Sequence, residues 1–346
     1  MSTIQGIRRR TWAEIDLDRA AQNFRVVRST VGKHVKICCV IKANAYGHGA
    51  IRMAAFYQSM NADYLAVSNV EEALQLRAHH ITLPILVLGY TPEECAGILA
   101  NNQITQTVYS YDYGKKLARC ASDLGVRVKI HIKLDTGMGR IGFLCRSDMP
   151  NELQLVEEIC REPALIPEGI FTHFAVADEN EEGDEYTQKQ LDFFLRGVSL
   201  LEDRGIRFAI RHCANSAAIF DHPEAHLDMV RAGIVLYGLH PSQKMRQHPP
   251  IQPIMTLKTV ISHLKTIYAG ESVSYGRTFL ANRETAVATV PIGYADGLWR
   301  GNGMTGCYML VQSRYAPIIG RICMDQLMLD VSEIDCQVGD VVTVFG

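Results

Sequence analysis

The segment VIKANAYGHGA, residues 40–50, ends an apolar run, Ile37-Cys38-Cys39-Val40-Ile41, on Lys42 and follows it with Gly47 and Gly49. An ammonium at the end of a buried strand is poorly solvated. The ordinary explanation is a snorkelling or ion-paired side chain. A chemical one is also open, because desolvation lowers the amine's pKa and frees it as a nucleophile. Similar polar residues follow later apolar runs. Asp135 closes one, with Arg140 in the next loop; His173 lies near the end of another; His212, Asn215 and Ser216 lie at or beyond a third; Arg231 and Gly233 lie in a fourth. Each alone reads as well as structure. Together they suit a Schiff-base site for pyridoxal 5'-phosphate (PLP): an amine for the aldehyde, and Ser216 at a helix start with the bare backbone of Gly233 for the phosphate.

The elements that must position these residues alternate between two textures. Runs rich in Val and Ile occur near 35–41, 64–68, 84–89, 105–110, 128–134, 169–174, 208–213 and 228–237. Amphipathic patterns such as NVEEALQLRAHH separate them. Buried runs alternating with helices imply a parallel sheet of βα units. Eight units in this length predict an α/β fold with a (β/α)8 TIM-like barrel, the doubly wound open sheet being the other arrangement. In a barrel the chemistry gathers at the C-terminal ends of the strands, where the residues above fall. Past HPPIQPIM the pattern turns to alternating segments such as TAVATVPIG and DVVTVFG, which predict a mostly antiparallel β domain. The expected division is a barrel over 17–243 and a β domain over 244–346, joined by an N-terminal strand within 1–16.

One motif points elsewhere. GMGRIG, residues 137–142, is a literal GxGxxG after a strand. The polar CRSDMPNE delays the next helix, so no helix N-terminus meets a pyrophosphate. The net charge of −2 gives no reason to expect nucleic acid or an anionic membrane surface. No apolar run is long enough to span a bilayer, and MSTIQGIRRRTW has no apolar signal region, which predicts a cytoplasmic chain. The ten cysteines form no CxxC pair and the twelve histidines no HExxH, so neither disulfides nor a metal site is expected.

With these residues in hand, the chain resembles the alanine racemase family, fold type III of the PLP enzymes, which includes serine racemase domains. The resemblance runs from TWAEIDLDRAAQNF onward through VIKANAYGHG, KLDTGMGRIGF, FTHFAVADE, HCANSAA, RAGIVLYGL, VSYGRTF, GYADG and GRICMDQ. It implies a homodimer with shared active sites, PLP as cofactor and a small amino acid as substrate. The activity implied is interconversion of L- and D-alanine, with serine as a second substrate, supplying D-amino acid for peptidoglycan. The alternatives are a serine racemase domain of a membrane-anchored protein and a non-catalytic PLP-binding protein.

Carried over position by position, Lys42 holds the cofactor and is one catalytic base, and Tyr275, from the other subunit, is the second. Tyr46, Ser216, Gly233 and Ile234 hold the phosphate, and Arg231 faces the pyridine nitrogen. Arg140 and the Met324 backbone bind the substrate carboxylate. Lys133 matches a lysine that is often carbamylated and holds that arginine. His173 and His212 support the tyrosine and Arg231. The family usually continues beyond DVVTVFG with a further active-site tyrosine, which lies outside this sequence. One base per face of Cα is what inversion requires. An arginine at the ring nitrogen stays protonated and so does not readily give the ring a proton.

Overall fold

The computed structural model describes residues 10–146 and 150–346. The chain divides into two units, Leu17–Pro253 and, together, Met1–Asp16 with Ile254–Gly346. Residues 1–9 of the expected N-terminal segment lie outside the described residues.

Strand β1 (Thr11–Ile15) belongs to the smaller unit, and helix α1 (Leu17–Val31) opens the larger one. There follow β2 (Lys36–Val40), α2 (Ala50–Ser59), β3 (Tyr64–Val67), α3 (Val70–Ala78), β4 (Ile85–Val87), α4 (Ala96–Asn101), β5 (Ile104–Val108), α5 (Tyr111–Asp123) and β6 (Val128–Asp135). The series ends with α6 (Pro150–Cys160), β7 (Leu165–Phe171), α7 (Glu181–Asp203), β8 (Ile210–His212) and β9 (Met229–Ala232). Neighbouring strands pair in parallel in the order β9-β2-β3-β4-β5-β6-β7-β8. The Asp228 N–H donates to Arg211 O at 3.1 Å and the Arg231 N–H to Ala214 O at 3.0 Å, which nearly closes the ring between β8 and β9. This is the expected barrel.

The two-residue period of each strand sends alternate side chains inward. Cys38, Val40, Tyr64, Ala66, Leu86, Ile210 and Met229 pack together as the inner core. The residues between them face the helices, so both faces are covered and the strands read as unbroken apolar runs. Helix α1 shows the matching stripe, burying Ala20, Phe24, Val27 and Val31.

The division falls between Pro253 and Ile254 rather than at 243/244. The buried Asn23 explains this: its amide donates to Gln252 O at 2.9 Å and its oxygen accepts the Gln252 N–H at 2.9 Å. Arg246 adds a bond to Asp221 O at 2.8 Å. The proline-rich segment is thereby stitched to the barrel. Two runs also end differently from expectation. The eighth stops at Ala232, and Ile234–Tyr237 forms a 3-10 turn; the sixth covers Leu165–Phe171, which leaves His173 beyond the strand. GMGRIG forms a loop in which Asp135 Oδ1 accepts the Gly137 and Gly139 N–H groups at 3.0 Å. Phe143–Leu144 then pairs with the end of β6, so an extended segment stands where a dinucleotide site needs a helix.

The smaller unit adds β10 (Met255–Val260), β11 (His263–Ile267), β12 (Thr285–Val290), β13 (Tyr308–Val311), β14 (Arg314–Ile319), β15 (Leu327–Asp330) and β16 (Val341–Phe345). These form an antiparallel sheet ordered β1-β10-β16-β13-β14-β15-β12-β11. Val290, Met309, Val311, Leu327, Leu329 and Val342 are among the residues of its core.

Candidate functional site

Lys42 follows β2 at the start of a turn with the opposite hand to an ordinary helix. Ala43, Asn44, Ala45 and Tyr46 all have φ between 52° and 54°. For L-residues this conformation costs roughly 1–2 kcal/mol each. The turn is held by Ala45 N–H to Ile41 O at 2.9 Å, Gly47 N–H to Ala43 O at 3.1 Å and Ala50 N–H to Asn44 Oδ1 at 2.9 Å. Gly47 and Gly49, at φ +85° and +94°, carry the chain out of it, where a side chain would be strained. The reversed hand brings Lys42 and Tyr46 onto the wall of one cavity at the C-terminal end of the barrel.

That cavity has a volume of about 540 Å³. Lys42, Tyr46, Lys133, Arg140, His173, Ser216, Arg231, Gly233 and Ile234 all line it. One side forms a cradle. The Gly233 N–H donates to Ser216 Oγ at 3.0 Å. A Cβ built on Gly233 would stand 2.9 Å from Tyr46 Oη and 3.5 Å from Ser216 Oγ, so the missing side chain is what leaves this corner open. The Tyr46 ring packs 4.7 Å from that of Tyr237, and burial raises its phenol pKa, which keeps it a hydrogen-bond donor. The cavity wall carries Lys42, Lys133, Arg140 and Arg231 against the single carboxylate of Asp178. A cradle of small donors beside this excess of positive charge fits a phosphate, and the lysine fits an aldehyde. The residues present therefore suit PLP.

Arg231 is the hub of the floor. Its guanidinium is buried with neutral acceptors around it: Thr172 O at 2.8 Å, His212 Nδ1 at 2.8 Å, Cys213 O at 3.1 Å and His173 Nδ1 at 3.1 Å. Burial, with the Arg231 charge next, holds both imidazoles well below their usual pKa, so each is neutral and accepts from the arginine. This sets tautomers along a chain. His212 accepts at Nδ1 and so donates from Nε2 to His131 Nδ1 at 2.9 Å. The His131 Nε2–H then faces Glu168 Oε2 at 3.5 Å, which is longer than an ordinary hydrogen bond but leaves the carboxylate as its electrostatic partner. Glu168 also accepts from Tyr64 and Lys129, each at 2.8 Å. These contacts, His131 first, draw its pKa down to about 2.

Lys133 is only 2% exposed. Its ammonium faces the Phe171 ring at 5.4 Å and the Leu134 carbonyl at 3.4 Å. Burial, then the charge of Arg231, brings its pKa down to about 7. Lys42 is shifted in the same direction by burial and by Arg140, with Glu72 opposing.

Tyr275 and Met324 belong to the β unit and are exposed there, at 63% and 54%. Tyr275 is presented by a tight turn in which Ser274, Gly276 and Arg277 have φ of +67°, +74° and +49°. The Ser274 hydroxyl braces it by donating to Arg321 O at 2.6 Å. The Met324 backbone is fixed by the Tyr294 N–H on Cys323 O at 3.1 Å and the Ala295 N–H on Met324 O at 3.0 Å. The sequence reading did not single out His131, Glu168 or Glu72. The polar Glu168 inside the run LIPEGIF was the available signal for the first pair.

Two family models match the chain: "Alanine racemase, N-terminal domain" over residues 15–241 and "Alanine racemase, C-terminal domain" over 254–346. "Alanine racemase 2" of Caldanaerobacter subterraneus subsp. tengcongensis is 45% identical over 341 residues, covering 98% of this chain and 86% of that protein. Among solved structures, an alanine racemase of Clostridium difficile matches with a TM-score of 0.93 and 42% identity, over 98% of this chain and 88% of that one. A histidine racemase from Leuconostoc mesenteroides subsp. sake matches with a TM-score of 0.87 and 29% identity, over 99% and 90%.

Proposed function

Because the chain belongs to the alanine racemase family, whose members are PLP-dependent, we propose that it interconverts L- and D-alanine with two bases, Lys42 and Tyr275, one on each face of Cα. The observation that carries the reading is the cavity that gathers a desolvated lysine, the Ser216–Gly233 cradle and a buried arginine. When bound, PLP supplies an electron sink that makes the substrate Cα–H acidic.

The chain's own groups do the rest. The Tyr46 hydroxyl, the Ser216 hydroxyl and the backbone of Gly233 and Ile234 hold the phosphate. Arg231 would donate to the ring nitrogen and keep its own proton, because even buried, at a pKa of about 10, its guanidinium remains a stronger base than the two imidazoles, which are held well below their usual pKa. His173 and His212 fix its plane through their Nδ1 atoms. Arg140 binds the substrate carboxylate, with the Met324 backbone N–H as the second donor. Lys42 Nζ takes or returns the Cα proton on one face, and burial favours its free-amine form. Tyr275 Oη does so on the other, and needs nearby positive charge to act as a phenolate near pH 7. Lys133, whose pKa of about 7 leaves much of it as free amine, adds CO2 with loss of a proton, and the resulting carbamate holds Arg140.

Tyr275 and Met324 are exposed on their own unit, as groups that serve the barrel of a second copy in a homodimer. None of the groups assigned above is left over to pair with a charged substrate side chain. Alanine is then the first substrate and serine the second, since an apolar pocket rejects an added hydroxyl by only about 10²-fold. The D-alanine formed supplies peptidoglycan. Among the described residues no helix is long and apolar enough to cross a membrane. A match to both domain models argues against a non-catalytic PLP-binding protein. The test is loss of optical rotation from L-alanine without CO2 release, together with kcat/KM for L-alanine, L-serine, L-lysine and L-glutamate. Rotation that persists, or faster turnover of lysine or glutamate than of either small amino acid, refutes it.

A further inference from the structure

Glu72 lies in the first turn of α3, in a segment that carries none of the residues assigned above. Its Oε2 accepts the Ser68 N–H at 2.7 Å and its Oε1 accepts the Ala43 N–H, also at 2.7 Å. Its own N–H is capped by Asn69 Oδ1 at 2.9 Å. Capping of α3 accounts for the first oxygen, because a glutamate at this position ordinarily reaches back to backbone just before its helix. It does not account for the second. Ala43 belongs to a different βα unit, and its N–H is the first after Lys42.

That N–H also opens the left-handed turn. Four residues held at φ near +54° are strained by several kcal/mol together. Such a segment persists only where its surroundings over-determine it. Within the turn and the chain just after it, backbone bonds and Asn44 fix the middle and the end. At its start the anchor is the Glu72 carboxylate, and a hydrogen bond to a charged acceptor is the stronger kind. The same carboxylate is the negative charge that acts on Lys42, whose other charged neighbour is Arg140. Lys42 acts in turn on His173, which also feels Arg231, Arg140 and Lys133.

We propose that Glu72 is the positioning residue of Lys42: one carboxylate clamps the Ala43 and Ser68 backbones, fixes the reversed turn at its first residue and so sets the direction and the charge environment of the lysine amine. The proposal rests on Lys42 being the cofactor lysine. Glu72→Gln keeps the shape but offers one acceptor where two N–H groups converge, so its amide nitrogen opposes the other donor. Glu72→Asp keeps the charge and loses the reach. Glu71→Gln, at the exposed neighbouring position, removes an equal charge with no contact to the turn.

Competitive acetylation of the full-length chain freed of cofactor, with acetic anhydride as probe and Lys42 followed by mass spectrometry, reads the amine directly. Near pH 7 Glu72→Gln is expected to label Lys42 about two- to fivefold faster than wild type, as for a partly exposed charge pair removed. Glu71→Gln should match wild type. Hydrogen exchange at the Ala43 amide should quicken in Glu72→Gln and in Glu72→Asp, while Lys42 labelling in Glu72→Asp stays near wild type. Labelling in Glu72→Gln no faster than in Glu71→Gln overturns the proposal. If Glu72→Gln does not fold, Ala43 exchange unchanged in Glu72→Asp overturns it instead. Borohydride trapping of the wild-type holoenzyme separates the premise, since cofactor fixed to another lysine sinks the Lys42 assignment and leaves the clamp standing.

Discussion

Replacing Lys133 by methionine should stabilise the cofactor-free protein at acid pH. The side chain is 2% exposed, and its pKa falls from 10.5 to about 7, with burial the leading cause and Arg231 the next. Below pH 7 the lysine is charged in both folded and unfolded chains, and the folded state carries the full desolvation cost. Between about 7 and the ordinary lysine range the folded chain has already lost a proton that the unfolded chain keeps, so stability rises with pH. Above that range the two states agree again. Each pH unit of difference is worth about 1.4 kcal/mol, which puts the cost at roughly 3–5 kcal/mol near pH 6. Methionine has a similar reach without the charge, and the shape change should cost about 1 kcal/mol or less. Lys133→Met is therefore expected to be roughly 2–4 kcal/mol more stable than wild type near pH 6, with the gap closing toward about pH 10. Urea denaturation of both proteins across that range, in buffers freed of CO2, measures it. A gap independent of pH, or a less stable variant near pH 6, refutes the reasoning. Added 13C-bicarbonate near pH 8 should give the folded wild-type protein a carbamate carbon signal by NMR that the variant lacks.

Ala43→Gly should be neutral to about 1 kcal/mol stabilising, because it relieves a left-handed alanine at the entropic cost of glycine. Ala55→Gly, exposed in the right-handed α2, should instead lose about 1 kcal/mol, and thermal denaturation of the pair reads the contrast. Gly233→Ala places a methyl group 2.9 Å from Tyr46 Oη, so an absorbance titration should find PLP bound at least about tenfold more weakly, while the cofactor-free protein changes by less than about 1 kcal/mol. Mixing Lys42→Ala with Tyr275→Phe under subunit exchange should restore partial activity, and a competent monomer would contradict the shared site.

The barrel was legible because strands covered on both faces are written as unbroken runs of Val, Ile and Cys. Lys42, Ser216, Arg231 and Gly233 stood out because polar or bare residues at strand ends are costly without a use. The reversed turn was not legible: Ala-Asn-Ala carries no glycine, and the bond at its first N–H, from Ala43 to Glu72, comes from another βα unit. Glu72 itself reads as an ordinary first-turn acid. His131 and Glu168 hid in strand patterns because they meet between the neighbouring strands β6 and β7, where the register shifts between Ile130 and His131, and cross-strand register is absent from one strand's periodicity. The domain division was misplaced for a related reason, since prolines suggested a linker while Asn23 binds that segment from far away in the chain.

The central claim is that separate groups, Lys42 and Tyr275, attend the two faces of Cα. The most direct measurement is isotopic: L-alanine is racemised in deuterium oxide and both enantiomers are examined before much substrate is consumed. Two bases predict that the newly formed D-alanine carries solvent deuterium at Cα, while the remaining L-alanine is still largely protiated. D-alanine that retains the substrate's own hydrogen would mean that one group carries the proton across, and would contradict the account.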